Sequence, residues 1–244
     1  MTAASVQLLR HATLLVRIGG IEFLVDPMLA EPGEMPPIPN SPNDRRNPLV
    51  PLPDVEIDPD AVVVTHTHRD HLDDAARERL AADVPLYCQP PDEFEIETDF
   101  DDVRPVDDRA TFVGVELVRT GGRHGHDDLA DSMGPVSGFV FRAADEPSIF
   151  VAGDTVWCPE LESALDEHEP DVVVLNAGGA RFVEGEPITM TDEDVRRVRE
   201  RVPDATVVAV HMDAINHCLL SREELANAVE GVLIPADGER VELD

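Results

Sequence analysis

Four of the six residues in His66-Thr67-His68-Arg69-Asp70-His71 are metal ligands by type, and they directly follow the apolar run Ala61-Val62-Val63-Val64-Thr65. Such a short β-branched run reads as a buried strand. The chain must therefore fold so that a core strand ends in a cluster of ionisable groups, and the density of the spacing points to a metal site rather than a solvated loop. His66 and His68, two positions apart, can serve one cation. Asp70 and His71 project elsewhere and can serve a second cation close by, an arrangement suited to two-metal hydrolysis.

Other strand-like runs also end in His or Asp. Ser148-Ile149-Phe150-Val151-Ala152 leads through Gly153 into Asp154, Ala205 to Val210 leads into His211, and Ile21 to Val25 leads into Asp26. In an open α/β sheet, ligands gather outside the carboxyl ends of the strands, so these residues can converge on one place. His124 and His126 follow Val113 to Val118 and the turn Thr120-Gly121-Gly122-Arg123; they flank a single glycine, and either can reach a metal by spacing alone. His211 directly follows its apolar run, whereas His217 lies six residues into a loop. His211 is thus assigned to the metal, and His217 either stands at the mouth of the site as a substrate contact or proton donor or packs locally.

Taken in order, Leu24-Val25-Asp26-Pro27, Thr65-His66-Thr67-His68-Arg69-Asp70-His71, Gly121-Gly122-Arg123-His124-Gly125, Gly134-Pro135-Val136-Ser137-Gly138, Gly153-Asp154-Thr155 and Val210-His211-Met212 make a specific pattern. Over nearly its whole length the chain resembles the metallo-β-lactamase-fold hydrolases, in the branch that includes ascorbate-6-phosphate lactonase. The resemblance implies an α/β fold, the four-layer αββα sandwich, with the site along one edge between the sheets. It implies that His66, His68 and His124 hold a first metal and Asp70, His71 and His211 a second, with Asp154 bridging both and Asp26 behind a ligand histidine, fixing its tautomer. Asp70, Asp154 and His217 are the candidate catalytic residues. A histidine-rich, carboxylate-bridged site suits two zinc ions, and manganese or iron accept the same donors.

The formal net charge is −32, from 51 acidic and 19 basic residues, and every basic residue is Arg. That excess repels itself in dilute buffer but is tolerated at molar salt, where the screening length is about 3 Å, so the composition points to a salt-accumulating halophile. Nucleic acid is disfavoured as a partner, because no basic run exceeds Arg45-Arg46 or Arg196-Arg197. Membrane attachment is disfavoured too, since no apolar stretch approaches the length of a spanning helix. The expected location is the cytoplasm and the expected partner a small-molecule substrate; a homo-oligomer is left open. Cys88, Cys158 and Cys218 show no paired metal-binding spacing and read as buried or incidental thiols, Cys218 being placed to line the site.

With 42% apolar residues and no linker between composition regimes, 1–244 reads as one domain. Strands are expected at Val6 to Leu9, Thr13 to Ile18, Ile21 to Val25, Ala61 to Thr65, Val113 to Val118, Ser137 to Phe141, Ile149 to Ala152, Asp171 to Leu175 and Thr206 to Val210. Helices are expected at Leu72 to Ala82, Pro159 to His168, Thr191 to Arg201 and Ser221 to Val229, the last two opening on capping boxes. The Pro-rich segment Ala30 to Pro59 reads as a substrate-side loop or a surface insertion, and the acidic stretch Pro91 to Arg109 as solvated surface.

The activity implied is hydrolysis by a metal-activated water on a small ester or lactone, plain or phosphorylated. Arg45, Arg46, Arg123 and Arg181 are the candidates for an anionic substrate group, and Asn176 with Gly178-Gly179 for oxyanion contacts. Alternatives are a phosphodiesterase on the same fold and an iron-dependent oxidoreductase.

Overall fold

Alternation within the apolar runs decides the layering, because successive residues of a strand face opposite sides of a sheet. In the computed structural model, which describes residues 3–243, the elements in chain order are β1 (Ser5–Arg10), β2 (Thr13–Ile18), β3 (Ile21–Val25), β4 (Ala61–Val64), α1 (Asp74–Arg79), β5 (Leu86–Cys88), α2 (Glu93–Ile96), β6 (Val103–Pro105), β7 (Arg109–Phe112), β8 (Val115–Gly121), α3 (Asp127–Met133), β9 (Ser137–Arg142), β10 (Ile149–Val151), α4 (Pro159–His168), β11 (Val172–Asn176), α5 (Asp192–Arg201), β12 (Thr206–Val210), α6 (Arg222–Ala228), β13 (Val232–Leu233) and β14 (Arg240–Glu242). They build two seven-stranded mixed sheets, ordered β14-β1-β2-β3-β4-β5-β6 and β13-β12-β11-β10-β9-β8-β7.

The sheets pack face to face through Leu14, Val16, Phe23 and Val63 of the first and Leu117, Phe139, Phe141, Val151, Val174 and Val208 of the second. The alternate residues point outward. Val62 and Val64 pack with Ala76 of α1 and Ile96 of α2, whereas Val173, Leu175, Val207 and Ala209 pack with Leu161 and Leu165 of α4, Val195 and Val198 of α5 and Leu225 of α6. Helix, sheet, sheet and helix therefore form the expected four-layer αββα sandwich. The parallel pairs β3·β4 and β10·β11·β12 align the carboxyl ends of the strands that carry Asp26, His66, Asp154 and His211.

Local signals explain most element ends. Thr191 with Asp194 and Ser221 with Glu224 form reciprocal capping boxes, as expected, and Pro159 opens α4 at the first helical position. Four expectations need correction. The helix expected over Leu72 to Ala82 is confined to α1, because Asp73 Oδ1 accepts from the amide of Ala76 at 2.7 Å and caps the helix there. The strand expected over Val113 to Val118 is β8, displaced to Val115–Gly121, with Val113 and Gly114 in a turn of positive φ. The Pro91 to Arg109 stretch is more than solvated surface: it carries α2 and β6 and buries Ile96, Phe100 and Val106. The strand expected over Asp171 to Leu175 is β11, displaced by one residue to Val172–Asn176.

The Pro-rich segment is a docked wall of the site. Asn47 Nδ2 and the amide of Ile38 both donate to Asn216 Oδ1, at 2.9 and 3.0 Å, and the amide of Leu49 donates to the carbonyl of Ala214 at 2.7 Å. From the other side the buried guanidinium of Arg10 donates to the carbonyls of Val50 and Ala30, both at 3.0 Å. Among the described residues no helix is long and apolar enough to cross a membrane.

Candidate metal centre

The first ligand group is built at the end of β4. Asp26 ties the chain down there, its Oδ1 accepting from the Thr65 amide at 2.8 Å and its Oδ2 from the Thr65 hydroxyl at 2.7 Å. That hydroxyl, its hydrogen committed to Asp26, accepts from His66 Nδ1 at 3.1 Å and leaves His66 Nε2 bare. His66 Nε2 meets His68 Nδ1 at 2.9 Å. His124 Nδ1 donates to the carbonyl of Ile188 at 2.8 Å, so its Nε2 is also free to face the group. One nitrogen each from His66, His68 and His124 lies within 4.8 Å of the others.

The second group forms beside it. His71 Nδ1 donates to Asp26 Oδ2 at 2.7 Å, and its Nε2 faces Asp154 Oδ2 at 3.3 Å. His211 Nε2 lies 3.1 Å from Asp154 Oδ1, and His124 Nε2, from the first group, 3.4 Å from Asp154 Oδ2. Asp70, His71, His211 and a residue the sequence reading passed over, His11, bring one ligand atom each within 4.8 Å of one another. Close packing positions Asp154 and His211. Gly153 sits at φ +69°, and a Cβ there would stand 2.6 Å from the carbonyl oxygen of Ser137; a Cβ on Gly178 would stand 2.4 Å from that of His211. His11, Asp26 and His211 themselves have φ of +58°, +46° and +76°. Left-handed backbone at non-glycine residues is costly and gathers at functional sites.

The electrostatics ask for cations. Burial holds His66 well below the ordinary histidine range and His124 down to about 4, so both rings are neutral at pH 7. Burial opposes the charge on His71, but Asp154 and Asp26 outweigh it and hold that ring protonated. Asp70 and Asp154 stay ionised against burial, Asp70 chiefly through the hydrogen bond from His11 and Asp154 through His211 and His71. Asp26, Asp70 and Asp154 are thus all buried around the His71 ring. Uncompensated buried charge costs several kcal/mol per ion. Among the described residues His71 Nε2 and His211 Nε2, both buried, also lack a hydrogen-bond partner although each faces Asp154. Neutral rings at His66 and His124, buried ionised Asp70 and Asp154, and unpartnered ring nitrogens fit divalent cations.

The structure places the two pairs that spacing left open differently. His124 is buried in the cluster while His126 is exposed at the start of α3, and His211 touches Asp154 while His217 does not. His217 instead lines a cavity of about 200 Å³ together with His68, Asp70, His124, Ile38, Met133, Phe182 and Arg69. Asn176 does not face substrate: its Nδ2 donates to Asp154 Oδ1 at 2.7 Å, and Gly178 lies against the His211 carbonyl and Cys218. Cys218 Sγ is 3.5 Å from His211 Nδ1. Arg123 pairs with Glu160 and Arg46 with the carbonyls of Gly33 and Glu34, and neither these nor Arg45 or Arg181 lines the cavity; Arg69 does.

A four-layer sandwich with histidines and carboxylates gathered at one edge defines a metal-dependent hydrolase of the metallo-β-lactamase fold. Residues 22–212 match the beta-lactamase superfamily domain. The chain is 38% identical to the UPF0173 protein YddR of Bacillus subtilis (strain 168), over 95% of this chain and 96% of that one. It is 26% identical to a UPF0173 metal-dependent hydrolase of Methanopyrus kandleri, over 91% and 90% of the two chains. The crystal structure of an isothiocyanate hydrolase from Delia radicum gut bacteria superposes with a TM-score of 0.93 at 39% identity, covering 98% of this chain and 99% of that one. The chain belongs to the UPF0173 family of metal-dependent hydrolases.

Proposed function

We propose that the chain is a dinuclear metal hydrolase of small esters or lactones, with His66, His68 and His124 holding one cation, Asp70, His71 and His211 the second, and Asp154 between them. The observation that carries this reading is the reach of Asp154, whose oxygens lie 3.4 Å from His124 in one group and 3.3 and 3.1 Å from His71 and His211 in the other. Zinc suits the donors, and manganese and iron accept them. Bound there, two divalent cations supply hydroxide at neutral pH and polarise the scissile bond, so no serine or cysteine nucleophile is required.

The chain's own residues orient and dry the site. Asn176 fixes Asp154 Oδ1, and Asp26 fixes the ring of His71. Ile38, Met133 and Phe182 wall the cavity with apolar surface. His217 contacts the substrate there: burial lowers its pKa, and its buried Nδ1 has no partner in the fold. A neutral ring is a hydrogen-bonding group or a base, not an imidazolium acid.

A cavity of about 200 Å³ with one exposed arginine at its rim favours a small substrate without a phosphate group, and so favours the plain lactone or ester over the phosphorylated one and over a phosphodiester. Likeness to the isothiocyanate hydrolase favours a second reading, since water adds to the central carbon of N=C=S as it does to a carbonyl carbon. Turnover by metal-loaded protein in molar salt, measured on lactones, aryl esters, isothiocyanates and bis(p-nitrophenyl) phosphate, tests both. Opening of lactones or esters is the expected result. Turnover of isothiocyanates alone selects the second reading, and turnover of the phosphodiester alone, or oxygen consumption without hydrolysis, rejects both.

We also infer a cytoplasmic setting at high salt, supported by 51 acidic residues against 19 arginines and by the absence of lysine.

A further inference from the structure

We infer that His11, in the turn between β1 and β2, is a positioning residue for the second ligand group, holding Asp70 and His211 in place without itself binding a cation. The inference rests on the dinuclear reading above. Three contacts from one residue carry it. Its Nε2 lies 3.2 Å from Asp70 Oδ2, and an ionised carboxylate can only accept, so Nε2 bears the hydrogen and donates. The ring lies over that of His211 with centroids 3.6 Å apart and planes tilted by 32°. The His11 carbonyl accepts the His211 amide at 2.9 Å. Fully buried, in a left-handed backbone conformation at φ +58°, the residue is held in a costly place by the elements around it.

The stacking separates the two roles this ring could have. Two imidazoles bound to one cation radiate from it with their nitrogens about 2.1 Å away, which sets the ring centres well apart unless the angle between them is acute. His66 and His68, whose ligand nitrogens meet at 2.9 Å, keep their centroids 4.4 Å apart and nearly perpendicular. His11 and His211 at 3.6 Å are too close and too parallel for that pattern. Donation to Asp70 also leaves the carboxylate's other oxygen for a cation, the usual work of a residue behind a ligand.

The neighbours of His11 share the task. Arg10 holds the carbonyls of Ala30 and Val50, and the Thr13 hydroxyl donates to the Asp26 carbonyl at 2.7 Å. The turn from Arg10 to Thr13 therefore supports the second group from below and links it to the Pro-rich wall.

The test compares wild type, His11→Gln, His11→Phe and Asp70→Ala by titrating apo-protein with Zn2+ against a chromophoric chelator and recording the visible spectrum of the Co2+ forms. Gln retains a donor and Phe retains the stacking, so folding survives in at least one. The first equivalent should bind His11→Phe as it binds wild type, while the second binds roughly 10- to 100-fold more weakly. His11→Gln should recover most of that loss and keep the wild-type Co2+ spectrum. Loss of the second equivalent in His11→Gln as complete as in Asp70→Ala, or wild-type affinity for both equivalents in His11→Phe, overturns the inference. Uptake of a single equivalent by the wild type overturns the dinuclear reading itself.

Discussion

His71 Nδ1 donates to Asp26 Oδ2 at 2.7 Å, and that contact decides which nitrogen of His71 is left for a cation. The same oxygen holds the Thr65 hydroxyl, which in turn fixes His66, so one carboxylate sets the ring orientation in both ligand groups. Asp26→Ala should lower the affinity of both metal equivalents by roughly 10- to 100-fold, read by chelator competition. Asp26→Asn should fall between Asp26→Ala and wild type, because its one amide oxygen still accepts while its Nδ2, a donor only, meets a donor on the other side. Unchanged affinity in Asp26→Ala would remove Asp26 from the centre.

Asp154→Ala should lose bound metal and hydrolytic turnover together, measured by elemental analysis and steady-state rates on the same preparation. Glu193→Ala is the control. Glu193 pairs with Arg197 at 2.6 Å on the exposed start of α5, and surface pairs of this kind contribute about 0.3 to 0.5 kcal/mol, so metal content and turnover should be those of wild type. Full metal retention by Asp154→Ala would contradict its placement between the groups.

Without metal, acid should destabilise the chain over two pH ranges. Burial lowers the pKa of His11 to about 3 and that of His124 to about 4, and lowers that of His66 as well. The unfolded chain takes up these protons near pH 6.5 and the folded chain resists them, so the stability they contribute is present above about pH 6.5 and lost as the pH falls toward 4 and then 3. Asp70 and Asp154, depressed despite burial, contribute stability present above about pH 4 and lost below it. His71 works the other way, its contribution complete below about pH 6.5 and lost as pH rises through its raised folded value. Between pH 6.5 and 4, therefore, His71 adds no pH dependence and the lowered rings alone act. The melting temperature of chelator-treated protein should therefore fall from pH 6.5 to 4; a flat profile would contradict the burial of neutral histidines.

Much of the candidate site could be read from the sequence because its histidines and carboxylates sit at strand ends. His66, Asp154 and His211 each follow an apolar run within a few residues, and the motif around Thr65 to His71 is dense enough to stand by itself. His11 could not be found that way. It occupies a two-residue turn inside a hairpin whose strands are buried almost throughout, and a lone histidine there carries no spacing signal. The one cue is that His11 is flanked by polar strand ends, Arg10 closing β1 and Thr13 opening β2. Asn176 was noticed for its place after Val172 to Leu175, but its partner, Asp154, is 22 residues away and set by β10·β11 pairing. The short strands β5, β6, β13 and β14 owe their existence to neighbours in the sheet, since two or three residues carry no readable period.

Salt dependence follows from charge. With 51 acidic and 19 basic residues, mutual repulsion of carboxylates opposes the fold, and the screening length shrinks from about 10 Å at 0.1 M to about 3 Å at 1 M. The melting temperature should rise steeply between 0.1 M and molar KCl. No change over that range would count against a high-salt setting.

The central claim is that two cations share Asp154. Anomalous diffraction from crystals of metal-loaded protein, recorded on either side of the zinc edge, tests it most directly. Two anomalous peaks about 3.5 to 4 Å apart are predicted, one beside His66, His68 and His124, the other beside Asp70, His71 and His211, with an oxygen of Asp154 against each. A single peak, or a second one away from Asp154, would contradict the account.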